Sequence, residues 1–559
     1  MSVPKPKLIL DYEMYFGEKP PENRISIINE ISKSHILCEF AGLNYRLKPK
    51  DSLSTDISLK SQIEELKYFS QRQDIYLRYI KLFHRHTKDE NDFPALFTRQ
   101  ACLYAIEEIV GSDEIKEIEG FQIEGRYDLW EAIIIYILAV NYAVTQIKKE
   151  EDGDRASIET LNPKLLPLNE QLVEVDPFFT IYRGHNLIEF LLNRPGISDE
   201  VIKYFQATYG IEPQHFIFHI LNMCTGNNNE DADIDFNYQV SEEVEWIFEI
   251  LSNRVPNSQL HKLISIRKSP FIRFDVRRYV LADITFLVEK AYYQFLNDFW
   301  FDWIKSITNE AGKPKYSIKD YRSEFGYFFE SYLSKIIVAC FSNYSHSKLL
   351  LFDELKVPTS NGDKEIADIY LRYGKRILLG QVKSGSIYDN EKYGGDIESL
   401  YKRDRTKFFE NFGVNQVVNS IVLMNNHIHK VDNKYPKGKT IEVYPCIIVN
   451  DKALQTPLMA QIFNSRFNEL LEGFEIKKMH VYPLTLIHIS DIEKLENTLT
   501  EKPSEIWSFM RSNFHNKKFI PPFYFTLDKK LKGTKRYPKR IFDLFHHLIG
   551  KYNPAGLDS

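Results

Sequence analysis

Residues 365–385 read Glu365-Ile-Ala-Asp-Ile-Tyr-Leu-Arg-Tyr-Gly-Lys-Arg-Ile-Leu-Leu-Gly-Gln-Val-Lys-Ser-Gly. Two mainly apolar runs flank Gly374-Lys375, the pattern of two strands joined by a short turn in which glycine supplies the unusual backbone angles. With Gly374 and Lys375 as the loop, Tyr373 faces Arg376. Counting outward then sets Asp368 opposite Gln381, with Cβ atoms about 5 Å apart on one face. Alternation along a strand gives Lys383 the same face as Gln381 and turns Val382 to the other, apolar side. An acid, an amide and an ammonium are thereby expected to converge at one end of a hairpin.

That convergence has a chemical use. Mg²⁺ takes oxygen ligands in an octahedral arrangement and keeps several waters, so the Asp368 carboxylate, the Gln381 amide oxygen and the Val382 carbonyl form a set able to hold it beside a phosphate. Lys383 would then orient or activate the attacking water, or offset charge building on the phosphorane. The triplet alone is weak, because Glu354-Leu-Lys356, Glu114-Ile-Lys116 and Glu475-Ile-Lys477 fit the same acid-or-amide, any, Lys pattern. Only the 381–383 copy ends a hydrophobic hairpin strand with an Asp across from it. Upstream, within Asp320–Phe341, Phe325, Phe329, Leu333, Ile336, Ile337 and Cys340 recur at helical spacing and predict a core-facing stripe. Glu330 sits on its flank. Helical side chains lean toward the N-terminus, so Gly326, one turn earlier, leaves space around the Glu330 carboxylate. Glu324 is the competing acid, read as a solvated residue of the first turn that complements the helix dipole.

The order helix with Gly-x-x-Phe-Glu, strand, Asp-bearing strand, Gln-x-Lys strand, helix resembles the core of the PD-(D/E)xK nuclease superfamily. Gln in place of the acidic residue is similar to the variant of Mrr-type restriction endonucleases. The resemblance spans roughly residues 320–425. It implies that Glu330 and Asp368 are the metal-binding acids, that Gln381 occupies the third metal position, usually Asp or Glu, and that Lys383 is the motif lysine, the four together forming the catalytic set. Ala367 stands where the motif name has Pro, a position that carries no chemistry. Gln381 is the more serious departure, since a neutral amide weakens the field on the metal. The implied cofactor is Mg²⁺ or Mn²⁺ and the implied activity is phosphodiester hydrolysis, on DNA in preference to RNA. The helix after the motif strand often flanks the substrate backbone in this superfamily. Lys402, Arg403, Arg405 and Lys407 are accordingly candidate phosphate contacts, beside their reading as a solvated charged face. Gln416 falls where related nucleases place a helix-borne polar residue. A non-catalytic nucleic-acid-binding or scaffold protein with a weakened site of the same fold is the alternative.

The chain has 559 residues, 43% of them hydrophobic, enough to bury ample core in several domains. Its five cysteines are scattered and without a Cys-x-x-Cys pair, which predicts free thiols in a reducing cytosol. The start lacks a signal-peptide apolar block, and the longest apolar run, Ala132–Val144, is read as a buried helix too short to span hydrocarbon, so no membrane partner is expected. Net charge is −5, so nothing global marks a nucleic-acid binder, although a cleft can be locally basic. The strongest local bias is C-terminal, where Lys529, Lys530, Lys532, Lys535, Arg536, Lys539 and Arg540 interleave with Tyr524, Phe525 and Tyr537. That composition suits phosphates and exposed bases, with Lys535 and Arg536 as candidate contacts, or a solvated basic loop. His215-Phe-Ile-Phe-His219 lacks the Glu of a zinc-protease helix, and Asp231-Ala-Asp-Ile-Asp235 lacks the Gly and terminal Glu of a calcium loop. No Walker loop, dinucleotide glycine fingerprint or nucleophile elbow is present in the sequence.

The expected architecture is an α/β nuclease core, a mixed central sheet flanked by helices, preceded by a large mainly α-helical N-terminal region. Residues 1–265 form the helical part, a sensor, recognition or assembly module. Residues 266–308 carry a hairpin from Pro270 and an aromatic helix over Ile284–Ile304, residues 309–500 the nuclease-like domain, and residues 501–559 the basic aromatic segment. Beyond Gln416, strands are expected at Ser420–Met424, Ile441–Val449 and Met479–Ile489, alternating with helices at Leu458–Leu471 and Ile492–Leu499. The arrangement resembles gated effectors of prokaryotic defence against phage or foreign DNA, activated by a partner protein or by self-assembly through the N-terminal region.

Overall fold

The computed structural model describes residues 8–48, 58–87, 93–149, 170, 173, 175–225, 236–252, 260–359, 362–385, 409–436, 438–456, 458–476, 478–514, 519–531 and 537–553. The chain divides into two units, one of residues 1–152, 164–185 and 199–299, the other of residues 153–163, 186–198 and 300–559.

The first unit is mainly helical. Helices Lys33–Arg46, Leu59–Phe69, Gln73–His86, Arg99–Gly111 and Tyr127–Lys149 surround one core. Between the second and third of these helices the chain breaks at Ser70, whose hydroxyl turns back onto the Leu66 carbonyl and competes with the next helical turn. Among the described residues, Tyr127–Gln146 is long and apolar enough to cross a membrane by length and composition, longer than the run Ala132–Val144 suggested. Its faces are committed to the core, where Ile133, Ile134, Tyr136, Ile137 and Leu138 are almost inaccessible and the Asn141 amide donates to the carbonyls of Leu10 and Leu96 at 2.8 Å each. A buried polar cluster also knits this unit. Asp283 accepts from Lys48 (2.8 Å), Asn44 (2.9 Å) and Arg99 while capping the backbone N–H of Thr285. Those cations hold its carboxyl well below the usual range against a large burial penalty.

The hairpin expected from Pro270 is present as Phe271–Asp275 and Arg278–Leu281, joined by a third strand, Asn237–Gln239. The aromatic helix expected over Ile284–Ile304 is broken into Ile284–Glu289, Tyr293–Asp298 and tighter or wider turns through Ser306. At the break lies a close approach, since a Cβ on Gly184 would sit 2.3 Å from the Ala291 carbonyl oxygen.

The second unit is mixed α/β. Its first long helix, α1 (Ile318–Phe341), starts at Ser317, whose hydroxyl caps the Asp320 N–H. The predicted stripe is buried except Phe325, which is half-buried. Then come β1 (Ser347–Leu351), a small separate hairpin (Lys356–Thr359 with Gly362–Glu365), β2 (Ile369–Tyr373), β3 (Arg376–Lys383), α2 (Val414–His427), β4 (Ile441–Val449), α3 (Met459–Glu472), β5 (Met479–Val481), β6 (Thr485–His488) and α4 (Ile489–Glu501). The sheet runs β5-β4-β3-β2-β1, with β6 also on β4. The pairs β1–β2 and β2–β3 are antiparallel, whereas β3, β5 and β6 all run parallel to β4.

Two strand expectations are corrected. Ser420–Met424 lies inside α2, because Val414, Val417, Val418, Ile421 and Met424 bury one helical face, and a short apolar run cannot be told from a strand by periodicity alone. Met479–Ile489 is two strands rather than one. Pro483 has no N–H to continue the ladder, and the next amide, Leu484, donates instead to the Asn464 side chain at 2.9 Å. The ranges Ile441–Val449, Leu458–Leu471 and Ile492–Leu499 carry a strand and two helices as expected.

Candidate functional site

The hairpin register follows the turn. Tyr373 pairs with Arg376, Gly374 has φ of 59°, and the ladder runs to Ile369 opposite Gly380. One residue further, Asp368 leaves regular pairing. Its N–H still donates to the Gly380 carbonyl (3.1 Å), but its side chain leans along β3, and Oδ2 accepts the Val382 N–H at 2.6 Å. A carboxylate thus takes a ladder partner's place just before β2 begins, and Asp368 is held by backbone rather than by its own rotamer alone. Its other oxygen accepts no hydrogen bond among the described residues.

Glu330, Asp368 and Lys383 come together electrostatically. Burial raises the Asp368 carboxyl above its usual value, opposed by the Val382 N–H and the Lys383 charge. Glu330 lies on the exposed side of α1, yet its carboxyl is partly enclosed, and its pKa is raised by desolvation and then by Asp368. Desolvation lowers the ammonium pKa of half-buried Lys383, while Asp368, Glu330 and Glu365 act to keep it charged. The space expected near Gly326 exists: a Cβ there would meet only Ser384 Oγ, at 3.6 Å, which places this turn of α1 beside the end of β3.

Gln381 takes a different commitment from the one expected. Its Nε2 donates to Ser420 Oγ on α2 at 3.0 Å, and that hydroxyl in turn donates to the Gln416 carbonyl at 2.7 Å. The amide is buried under α2, and its oxygen accepts no hydrogen bond among the described residues. Gln416 itself is exposed.

Glu324 is corrected from a solvated first-turn acid to an ion-paired one: Arg194 Nε lies 2.6 Å from it, with the guanidinium over the rings of Phe190 and Tyr327. The rival triplet at Glu354 is a turn in which the Glu354 carboxylate accepts the Leu351 N–H. Lys402, Arg403, Arg405, Lys407, Lys535 and Arg536 lie outside the described residues.

One acid was missed from sequence. Glu365, at the end of the separate hairpin, has its pKa raised by desolvation and then by Asp368, with Glu330 also contributing. Its place three residues before Asp368, on the same quoted stretch, was the available signal.

The described residues contain no group of three His, Cys, Asp or Glu side chains poised to share an ion. Mg²⁺ is commonly bound through one or two carboxylates plus water and substrate oxygens, so Glu330 and Asp368 with the Gln381 amide oxygen fit that cation, though not one needing a full protein cage. The mutual repulsion of Asp368, Glu330 and Glu365 is a second reason for a cation to be favourable there.

His215 and His219 stack with ring centroids 4.6 Å apart, and burial followed by His215 lowers the His219 pKa to about 4. No protein-family model matches this chain, and no curated protein and no solved structure matches it.

Proposed function

We propose that the chain is a metal-dependent nuclease hydrolysing phosphodiester bonds, with DNA the favoured substrate. The observation that carries this reading is the grouping at the end of β3: an enclosed lysine held in the field of Asp368, Glu330 and Glu365. The connectivity supports it too, since helix, three antiparallel strands and a helical crossover to a parallel fourth strand is the order expected of a PD-(D/E)xK core. Glu330 and Asp368 would hold Mg²⁺ or Mn²⁺, assisted by the Gln381 oxygen, and the bound ion would supply Lewis-acid polarisation of the phosphate and of a water. Lys383 presents its ammonium to the same place. From there it can orient water, take part in proton movement or offset charge on the phosphorane, and burial lowers its pKa below that of an ordinary lysine. Asp368, tied to Val382, keeps the acid in register with that lysine.

The first unit is then the natural seat of sensing, recognition or assembly, consistent with a gated effector in prokaryotic defence, a step that rests on analogy. The commitment of Gln381 to Ser420 favours one second reading, a nucleic-acid-binding scaffold with a weakened site. Cleavage of supercoiled plasmid, linear duplex, single-stranded DNA and RNA with Mg²⁺, Mn²⁺ or EDTA separates them. Metal-dependent cutting lost in Asp368→Ala and Lys383→Ala supports the nuclease. Binding without cutting, and without any metal binding that depends on Asp368, supports the scaffold.

A further inference from the structure

Gly413 is the residue immediately before α2, with φ of 82°. A Cβ built on it would lie 2.6 Å from Lys383 Cε and 3.5 Å from Lys383 Cδ, so the lysine stem crosses directly over the bare Cα. The sequence separates the two residues widely. They meet because β3 ends where α2 begins its return across the sheet. Two properties of glycine are used at once here, the left-handed backbone and the missing side chain.

We propose that Gly413 is a positioning residue for Lys383, its bare Cα forming the floor on which the lysine stem lies and so setting where the ammonium stands relative to Asp368 and Glu330. The inference rests on the nuclease reading for its catalytic meaning, but not for its geometry. With any side chain at 413, Cε must retreat by roughly 1 Å to reach ordinary van der Waals separation. Cε is close to the end of a flexible stem, so the lysine yields rather than the helix. The collision therefore falls on the ammonium, and the strain of the left-handed backbone is a separate effect that the controls below remove.

Gly374 supplies the control. It shares the left-handed backbone, with φ of 59°, but a Cβ there meets nothing within 4 Å. Gly374→Ala thus carries the backbone strain without the collision. Gly413→Asn separates the terms the other way, because asparagine adopts left-handed angles readily yet still brings a Cβ. The experiment uses the full chain. The rate at which an amine-acylating reagent modifies Lys383 at one fixed pH, relative to the other lysines, is followed by mass spectrometry in wild type, Gly413→Ala, Gly413→Asn and Gly374→Ala. Expected is a similar modification rate in wild type and Gly374→Ala, displaced toward faster modification in both 413 variants as the amine is driven off the floor at 413 toward solvent. Where cleavage is measurable, kcat of both 413 variants should fall on the order of a hundredfold with KM little changed, as for a reacting group misplaced by about 1 Å. Unchanged labelling in both 413 variants overturns the proposal, as does displaced labelling with unchanged kcat. If wild type cuts no substrate and binds no metal through Asp368, the nuclease reading fails by itself, and the labelling still decides whether Gly413 sets the lysine.

Discussion

Asp368→Asn and Asp368→Ala should have opposite consequences for the fold although both remove the same charge. Asp368 Oδ2 is the partner of the Val382 N–H at 2.6 Å, and Val382 is buried. Asparagine retains an oxygen acceptor for that amide, whereas alanine leaves a buried donor unsatisfied, a loss of about 1–3 kcal/mol. The carboxylate's ionisation works the other way. Burial raises its folded-state pKa above the ordinary value, so the folded protein binds the proton more tightly than the unfolded chain does. Its contribution to stability is therefore greatest below the ordinary carboxylate pKa and declines as pH rises through the raised folded value, leaving the ionised form as a net cost at neutral pH. Asparagine removes that cost along with the repulsion of Glu330 and Glu365. In EDTA at neutral pH, Asp368→Asn should be at least as stable as wild type and Asp368→Ala less so by about 1–3 kcal/mol.

The assay is hydrogen exchange of the peptide covering β3, which reports opening of this strand independently of the other unit. With Mg²⁺ at a hundred times its dissociation constant, wild type should gain about 2.7 kcal/mol of protection and both variants none. Asp368→Asn opening β3 as readily as Asp368→Ala would refute the backbone-partner reasoning. A Mg²⁺ gain that survives in Asp368→Asn would refute the placement of the ion.

Gln381→Glu should raise Mg²⁺ affinity but loosen the metal-free protein by about 1–3 kcal/mol, since it buries a charge and replaces the Nε2 donor to Ser420; calorimetric titration and urea denaturation check the two halves. Gly326→Ala should be tolerated, gaining about 0.5–1 kcal/mol of helix stability with cleavage unchanged, because its Cβ would touch Ser384 Oγ only at 3.6 Å; parallel denaturation and cleavage assays decide. Asp432→Ala should cost about 3–5 kcal/mol by urea denaturation, since it strands Arg372 and the Tyr370 hydroxyl, both buried against that carboxylate on β2. The pH dependence of cleavage should lose its activity on the alkaline side below the ordinary lysine range, as the depressed Lys383 pKa is passed, if the charged amine is the working form; a profile flat to pH 10 would favour a role that needs no ammonium.

The hairpin within residues 365–385 was legible because the interactions that set its turn and register are local. Gly374 sets a two-residue turn, the turn sets the register, and the register carries Asp368 and Lys383 to one end of the sheet. The stripe of α1 was legible for the same reason, its periodicity matching the helix it forms. Ser420–Met424 was misread because an apolar run buried against a sheet has the same composition whether it is strand or helix, and only its packing against β3 and β4 decides between them. The break in β5–β6 at Pro483 was visible in principle, since proline cannot serve the ladder from within a strand.

By itself the sequence determined the hairpin turn, its register and which of the candidate residues share a strand, because turn chemistry and side-chain alternation act over a few residues. The tertiary structure decided what those residues do with their polar atoms: the Gln381 amide given to Ser420, the Asp368 oxygen given to Val382, Glu365 brought into the field of Lys383, and Gly413 laid beneath the lysine stem. Each is a contact made across elements, where a difference of about 1 Å separates a partner from a collision, and spacing along a chain carries no information at that scale.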